Sequence, residues 1–280
     1  MVFVLIPGGE ARLGIDWPDD KLPKALCNLP DTQPPDTEYL PNGDGAIGGH
    51  SFTVRLDPFL LSKYEMTHAQ WESLFGGREN PSAYSPRTFT KAGLTMTHPV
   101  NSLSPLLADE TVRRLGLVLP TSAQWQHAAR AGSDAPWWTG FDPRGWYEAE
   151  NLADASLAKA SRTPLPFGPA DTDHDDDHRL TAAVDSMRPN PFGLHHMLGN
   201  VQECSRDPAH KYSVAMPREG DGAMKPVLPD QVLDPRKRDV LGGSCQHGWN
   251  AARSTTRMEA KEGQVGTIWG LRPARALQAP

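Results

Sequence analysis

Residues 3–6, FVLI, form an apolar run that stops at Pro-Gly-Gly and resumes as GEARLG, a strand–turn–strand pattern that predicts a hairpin. The stretch SFTVRLDPFLLSKYEMT, from residue 51, alternates apolar and polar positions as a half-buried strand does. Thr67 then stands where an N-cap belongs, ahead of the short helix HAQWESLFG with Trp71, Leu74 and Phe75 on one face. A second helix starts in SLSPLLADETVRRLG and stops at its glycine. The clearest helical period lies in LPTSAQWQHAARAG, where Thr121 or Ser122 caps, Trp125, Ala128 and Ala129 share a face, and Gly132 ends the helix. Beyond residue 133 the pattern breaks into turns and short strands, with an acidic loop at 171–178. Long loops are predicted at 17–48 and 207–238, within a single domain spanning 1–280.

Composition sharpens this picture. The chain has 280 residues, 38% hydrophobic and 22% charged, enough for a packed core. It carries 25 Gly, 27 Pro and 8 Trp, so a loop-rich fold pinned by aromatic side chains is expected rather than a bundle of long helices. A net charge of −6 excludes the basic face that nucleic acid requires. No apolar run is long enough to span a membrane. Neither a basic leader nor a cleavage site surrounds the first apolar run, so a cytoplasmic location is expected. The cysteines, Cys27, Cys204 and Cys245, are far apart and form no Cys-x-x-Cys pair.

Eight stretches then occur in order: FVLIPGG, LSKYEMTHAQW, HPVNSLS, LPTSAQWQHAARAG, ENLADAS, NPFGLHHMLGNVQE, VLGGS and GLRPAR. Together, over about residues 3–275, they resemble the formylglycine-generating enzyme (sulfatase-modifying factor) family. The resemblance implies an α+β, C-type-lectin-like fold, loop-rich, with short strands and few helices. It also implies calcium. The family's first ion would fall on the Asn151 side chain, the Leu152 carbonyl, Asp176 and the His178 carbonyl, with Asp175 and Asp177 as alternatives to Asp176. A second would use Gly199, Val201 and Glu203, but His196 occupies the side-chain position and is a poor calcium ligand. The pair His195–His196 suggests a transition metal instead, against which stands the difficulty of aiming adjacent histidines at one ion.

The copper-dependent members of the family hold two cysteines, five apart, after GGS. Here that segment reads GGSCQHGWNAARS, with Cys245 alone, so copper is not expected and the oxidase chemistry does not carry over. Cys245 is expected to be a small buried side chain; the competing reading makes it a nucleophile assisted by His247 on the same face of a strand. The resemblance extends to variable proteins that display this C-terminal segment to ligands. The corresponding positions are Gln246, His247, Trp249, Asn250, Met258, Glu259, Lys261, Gln264 and Trp269, with Trp249 and Trp269 equally readable as core. The expectation is therefore a non-oxidase domain, a pseudoenzyme that binds a protein or peptide ligand. It would be a free-standing copy or part of a multidomain or conflict-system protein with a fused or associated effector domain. The alternative is a metal-dependent oxidoreductase of the same family that modifies a cysteine-containing substrate through Cys245.

Overall fold

In the computed structural model the described residues are 1–14, 51–76, 80–90, 93–161, 170–209 and 215–277. The predicted loop at 17–48 and Cys27 lie outside them. The chain first lays down β1 (Phe3–Ile6), β2 (Gly9–Gly14), β3 (Ser51–Leu56) and β4 (Phe59–Ser62). Helices α1 (His68–Phe75), α2 (Pro105–Arg114), α3 (Ser122–Arg130) and α4 (Ala155–Ala160) follow. The second half holds β5 (Gln202–Pro208), β6 (Ala215–Pro217), β7 (Met224–Pro226), β8 (Lys237–Leu241), β9 (Arg257–Lys261), β10 (Trp269–Gly270) and β11 (Ala274–Ala276). Single 3-10 turns stand at Pro143–Trp146 and Trp249–Ala251.

The predicted hairpin over 3–14 is not formed. Both strands exist, but β1 pairs with β4, Phe3 opposite Ser62, while β2 pairs with β3, Gly9 opposite Leu56. Pro58 explains why the 51–62 run serves two sheets: it lacks the N–H a continuous ladder needs, and the strand divides there. The crossing is tight, since a Cβ on Gly8 would lie 2.6 Å from the Leu56 carbonyl oxygen. β4 is central in a three-stranded sheet ordered β1-β4-β11, and a four-stranded sheet runs β10-β5-β8-β9. The expected 207–238 loop contains the small β6–β7 ladder.

The helix signals are realised closely. Thr67 and Thr121 each form a capping box, with Gln70 and Gln124 respectively, and Ser104 caps α2. Helix α4 was not visible in the sequence pattern; it is a six-residue helix held by the Asp154 side chain, which accepts from the Ser156 and Leu157 amides. Trp71, Trp125, Trp137 and Trp146 are fully buried, as the aromatic content suggested. Elements β4, β5 and α3 meet at one buried ion pair. Arg272 Nη2 lies 2.8 Å from Glu203 Oε1, and the Trp125 indole donates to Glu203 Oε2 at 2.7 Å. The same guanidinium donates to the carbonyls of Ser62, Lys63 and His195. It thus fastens the end of β4, the turn before β5 and the last strands to one point.

Removing one partner of such a pair strands the other in the interior. Arg272→Met is expected to destabilise the fold by about 3–5 kcal/mol, read from chemical denaturation. A loss below about 1 kcal/mol, the scale of an exposed ion pair, would show that the hub is not structural.

Candidate functional site

The family-like motifs converge on Asn200. The turn Leu198-Gly199-Asn200 passes so near the 151 backbone that a Cβ on Gly199 would sit 2.7 Å from the Asn151 carbonyl oxygen. Asn200 adopts φ 62°, a left-handed conformation that Asn tolerates well. Its amide donates to the Asn151 carbonyl at 2.8 Å, and its side-chain oxygen accepts from the Ala182 amide at 2.8 Å and the Asn151 Nδ2 at 3.2 Å. Its Nδ2 donates to Glu65 Oε2 at 2.7 Å, while its carbonyl accepts the Cys245 amide at 3.0 Å. Glu65 is fully buried and also accepts from the Val201 amide at 3.1 Å. Burial pushes its carboxyl well above the ordinary range; Arg272 pulls it down and Glu203 pushes it up. Sequence reasoning passed over Glu65 and Asn200. The signals were an acid one residue before Met66 in KYEMT and the Gly-Asn turn inside MLGNVQE.

The acidic loop is docked onto the start of α4. The Asp171 amide donates to the Ala153 carbonyl, the Ala155 amide to the His174 carbonyl, and the Asp176 amide to Asp154 Oδ2 at 2.6 Å. The three adjacent aspartates divide their work. Asp175 takes Ser156 Oγ and Lys159 Nζ at the surface. Asp177 is exposed and at φ 62° makes the turn. Asp176 faces inward: its Oδ1 accepts the His178 amide at 2.7 Å, and its Oδ2 is buried without a hydrogen-bond partner. Burial, with Asp154 alongside, pushes its carboxyl up to about 7. Asn151 is fully buried, and its Nδ2 is committed to the Leu180 carbonyl and Asn200 Oδ1. That fixes the amide orientation and leaves Asn151 Oδ1 buried with no partner. Leu152 packs with Trp146 and Ala252 in a small apolar cluster.

Cys245 is only 2% exposed and sits in a turn, not on a strand. Burial pushes its thiol far up, with Glu65 and Asp176 adding in the same direction. His247 does not address it. The His247 ring pairs through Nδ1 with Ser244 Oγ at 2.7 Å, and burial pulls it down to about 3, so it is neutral. The reading that put both side chains on one strand face is corrected by this turn. Cys204 lies on β5 opposite Val240, inside a different apolar cluster, and both thiols are free.

The proposed recognition segment also needs correction. Trp269 is core, its indole donating to Gln202 Oε1, and His247 is fully buried, so neither belongs to a surface. Met258 is partly buried against the β5–β8 side of the core, and Trp249 packs edge-on to Trp137 at 5.7 Å. Asn250 and Gln246 are half-buried, Gln246 donating to the Tyr84 hydroxyl at 2.8 Å. Glu259, Lys261 and Gln264 are exposed, Glu259 paired with Lys237. For the second calcium set, Gly199 and Val201 are buried beside Glu203, whose two oxygens are occupied by Arg272 and Trp125. His195 and His196 diverge, Nδ1 of the first to the Met187 carbonyl and Nε2 of the second to the Ala183 carbonyl. Among the described residues no three His, Cys, Asp or Glu side chains are grouped to hold a metal ion.

This architecture is an α+β, loop-rich fold of the formylglycine-generating-enzyme, C-type-lectin-like kind. Residues 2–277 match the Sulfatase-modifying factor enzyme 1-like domain, and the chain belongs to that family. It is 27% identical to the formylglycine-generating enzyme of Thermomonospora curvata over 248 residues, covering 73% of this chain and 71% of that protein. The enzyme of Streptomyces coelicolor is 34% identical over 180 residues, 60% of this chain and 51% of the relative, so the chain spans about half of it. Among solved structures, PvdO from Pseudomonas aeruginosa superposes with a TM-score of 0.63 at 20% identity, covering 98% of this chain and 94% of that one. Treponema denticola variable protein 1 gives 0.66 at 17% identity, with 98% and 95% covered. At such identities these two likenesses concern the fold alone.

With its thiol protonated and covered, Cys245 is expected to resist alkylation at pH 8 in the folded protein and to react once denaturant is added. Mass spectrometry of iodoacetamide-treated protein checks this. Rapid labelling of Cys245 under native conditions would show that the thiol is accessible and active.

Proposed function

We propose that this chain is a non-oxidase member of its family, a cytoplasmic domain that binds a protein or peptide ligand and is stabilised by one calcium ion. The observation that carries the first part is the setting of Cys245. Oxidation of a cysteine substrate through copper needs soft thiolates in a pair. Here one thiol is buried, opposed by two carboxyls and without an imidazolium, while Cys204 belongs to a separate apolar cluster.

The ligand reading rests on the exposed part of the C-terminal segment. Glu259 and Lys261 point outward from β9, and the turn that follows carries Gln264 and Val265, the latter 63% exposed. Backbone bonds from Leu106 to the Glu262 carbonyl and from Gly266 to the Leu103 carbonyl hold this turn beside the start of α2. Leu106 is itself exposed there. Two exposed apolar side chains with a charged rim are the composition of a recognition patch. No helix among the described residues is long and apolar enough to cross a membrane.

Calcium fits the residues at the acidic loop. Asn151 Oδ1 and Asp176 Oδ2 are buried oxygens with no hydrogen-bond partner, a costly state that a hard cation relieves. The Leu152 and His178 carbonyls would complete the protein's share of the ligands. A bound ion would neutralise Asp176 and tie the loop to the Asn151–Asn200 network.

Two measurements test these statements. Thermal unfolding in calcium against chelator is expected to show stabilisation of about 2.7 kcal/mol at a hundredfold excess over Kd, abolished in Asn151→Ala. An unchanged midpoint removes calcium from the reading. Peptides selected on the wild-type domain should bind Leu106→Asp or Val265→Asp at least tenfold more weakly, the two variants remaining as stable as wild type. Copper-dependent oxygen consumption with a cysteine-containing peptide, lost in Cys245→Ser, would replace the binding reading with the oxidoreductase one.

A further inference from the structure

Four arginines are buried among the described residues: Arg130, Arg253, Arg257 and Arg272. A guanidinium stays charged in proteins, so each needs acceptors. Three have them. Arg272 holds Glu203 and three carbonyls, Arg257 faces Asp239 at 3.6 Å, and Arg130 donates to the Gly14 carbonyl. Arg253, 3% exposed, is the exception. Among the described residues its hydrogen bonds are those of its backbone, the amide with Thr256 Oγ1 at 3.2 Å and the carbonyl with the Thr256 amide at 3.0 Å. Its Nε is buried without a partner, and no carboxylate among the described residues pairs with it. The next side chain repeats the condition: Ser254 is buried, and its hydroxyl has no partner either. The Ser254 amide donates to the Pro136 carbonyl, which anchors this turn rather than leaving it free to rearrange.

We propose that Arg253 and Ser254 form a binding site for a carboxylate. The Nε edge of a guanidinium is a side-on fork that takes a planar oxyanion through two parallel hydrogen bonds, and the hydroxyl of the next residue supplies a third donor. Burial alone pulls the Arg253 guanidinium down to about 10, with no acid opposing that pull, so it remains cationic at neutral pH and lacks a counter-charge. The Trp249–Ala251 turn, which ends two residues before Arg253, is half-buried. The carboxylate comes either from a small organic acid or from an acidic side chain presented by another polypeptide. The site stands independently of the peptide-binding patch around Val265.

The test compares thermal unfolding of the full chain in sodium acetate and sodium chloride at equal ionic strength, with chelator present in both. Acetate is expected to raise the midpoint of the wild type. Arg253→Met is expected to weaken the apparent carboxylate affinity at least about tenfold, as loss of charge-assisted hydrogen bonds implies. A peptide with a single glutamate, set against its glutamine analogue, forms the second arm. Stabilisation by the peptide alone assigns the site to a presented side chain, and stabilisation by acetate as well assigns it to small acids. Should Arg253→Met fail to fold, the arginine Nε–H resonance that is missing from the Arg253→Lys spectrum is followed in the wild type instead. It should move on titration with acetate or the glutamate peptide. No stabilisation by either carboxylate over its control, an effect retained in Arg253→Met, or an unmoved resonance would overturn the assignment.

Discussion

The Arg272 guanidinium is the constraint from which the rest of the fold hangs. A charge buried this completely costs several kcal/mol unless its donors are satisfied. Satisfying them requires Glu203 from β5 and carbonyls from Ser62, Lys63 and His195 to meet at one place. Those groups are far apart in sequence, so the ion pair specifies tertiary structure more than local structure. Trp125 reinforces it by donating to the same carboxylate, which sets the rotation of α3 against the four-stranded sheet. Glu65 lies within the field of this cation but is not its partner. Burial raises the Glu65 carboxyl, and Arg272, at a distance, offsets only part of that.

From that fixed point the candidate site follows by a short chain of contacts. Glu65 receives the Asn200 amide group, Asn200 receives Asn151, and Asn151 is left with a buried oxygen that has no partner. The tightness of the Gly199 passage leaves no slack, because any side chain there would strike the Asn151 backbone. The orphaned oxygens are therefore held in place by partners on every other atom. Committing the nitrogen of the Asn151 amide keeps its oxygen from turning away.

Much of the fold could be read from the chain, and what could not has identifiable physical causes. Caps were legible because Thr67 and Thr121 declare themselves within four residues through Gln70 and Gln124. Strand partners were not, because a Pro-Gly-Gly turn signals a reversal without saying which edge the next strand will meet; the answer lay in Pro58, some fifty residues later. Helix α4 is too short for periodicity and depends on Asp154, a residue that also receives the Asp176 amide. The family resemblance pointed to Asn151 and to one of Asp175, Asp176 and Asp177, but it gave no signal for Glu65, since a lone acid in an otherwise ordinary stretch gives no hint of burial. The mixture of exposed and interior residues in 246–269 was equally hidden. His247 and Trp269 have the composition of a recognition surface but the environment of a core.

The position of Cys245 in this network also separates what the scaffold needs from what thiol chemistry needs. What the fold takes from residue 245 is its backbone N–H, donated to the Asn200 carbonyl. Any residue small enough for the turn would supply it. The unpartnered Asn151 and Asp176 oxygens, the Arg272 hub and the tryptophan core make no use of the sulfur. Architecture and thiol chemistry are therefore separable in this domain, as they are wherever reactive groups are mounted on a frame rather than built into it. A chain that retains the Gly-Asn turn, the buried acid and the arginine keeps the frame. The exposed C-terminal turn that carries Val265 is held by backbone bonds at Leu103 and Leu106 and not by the hub.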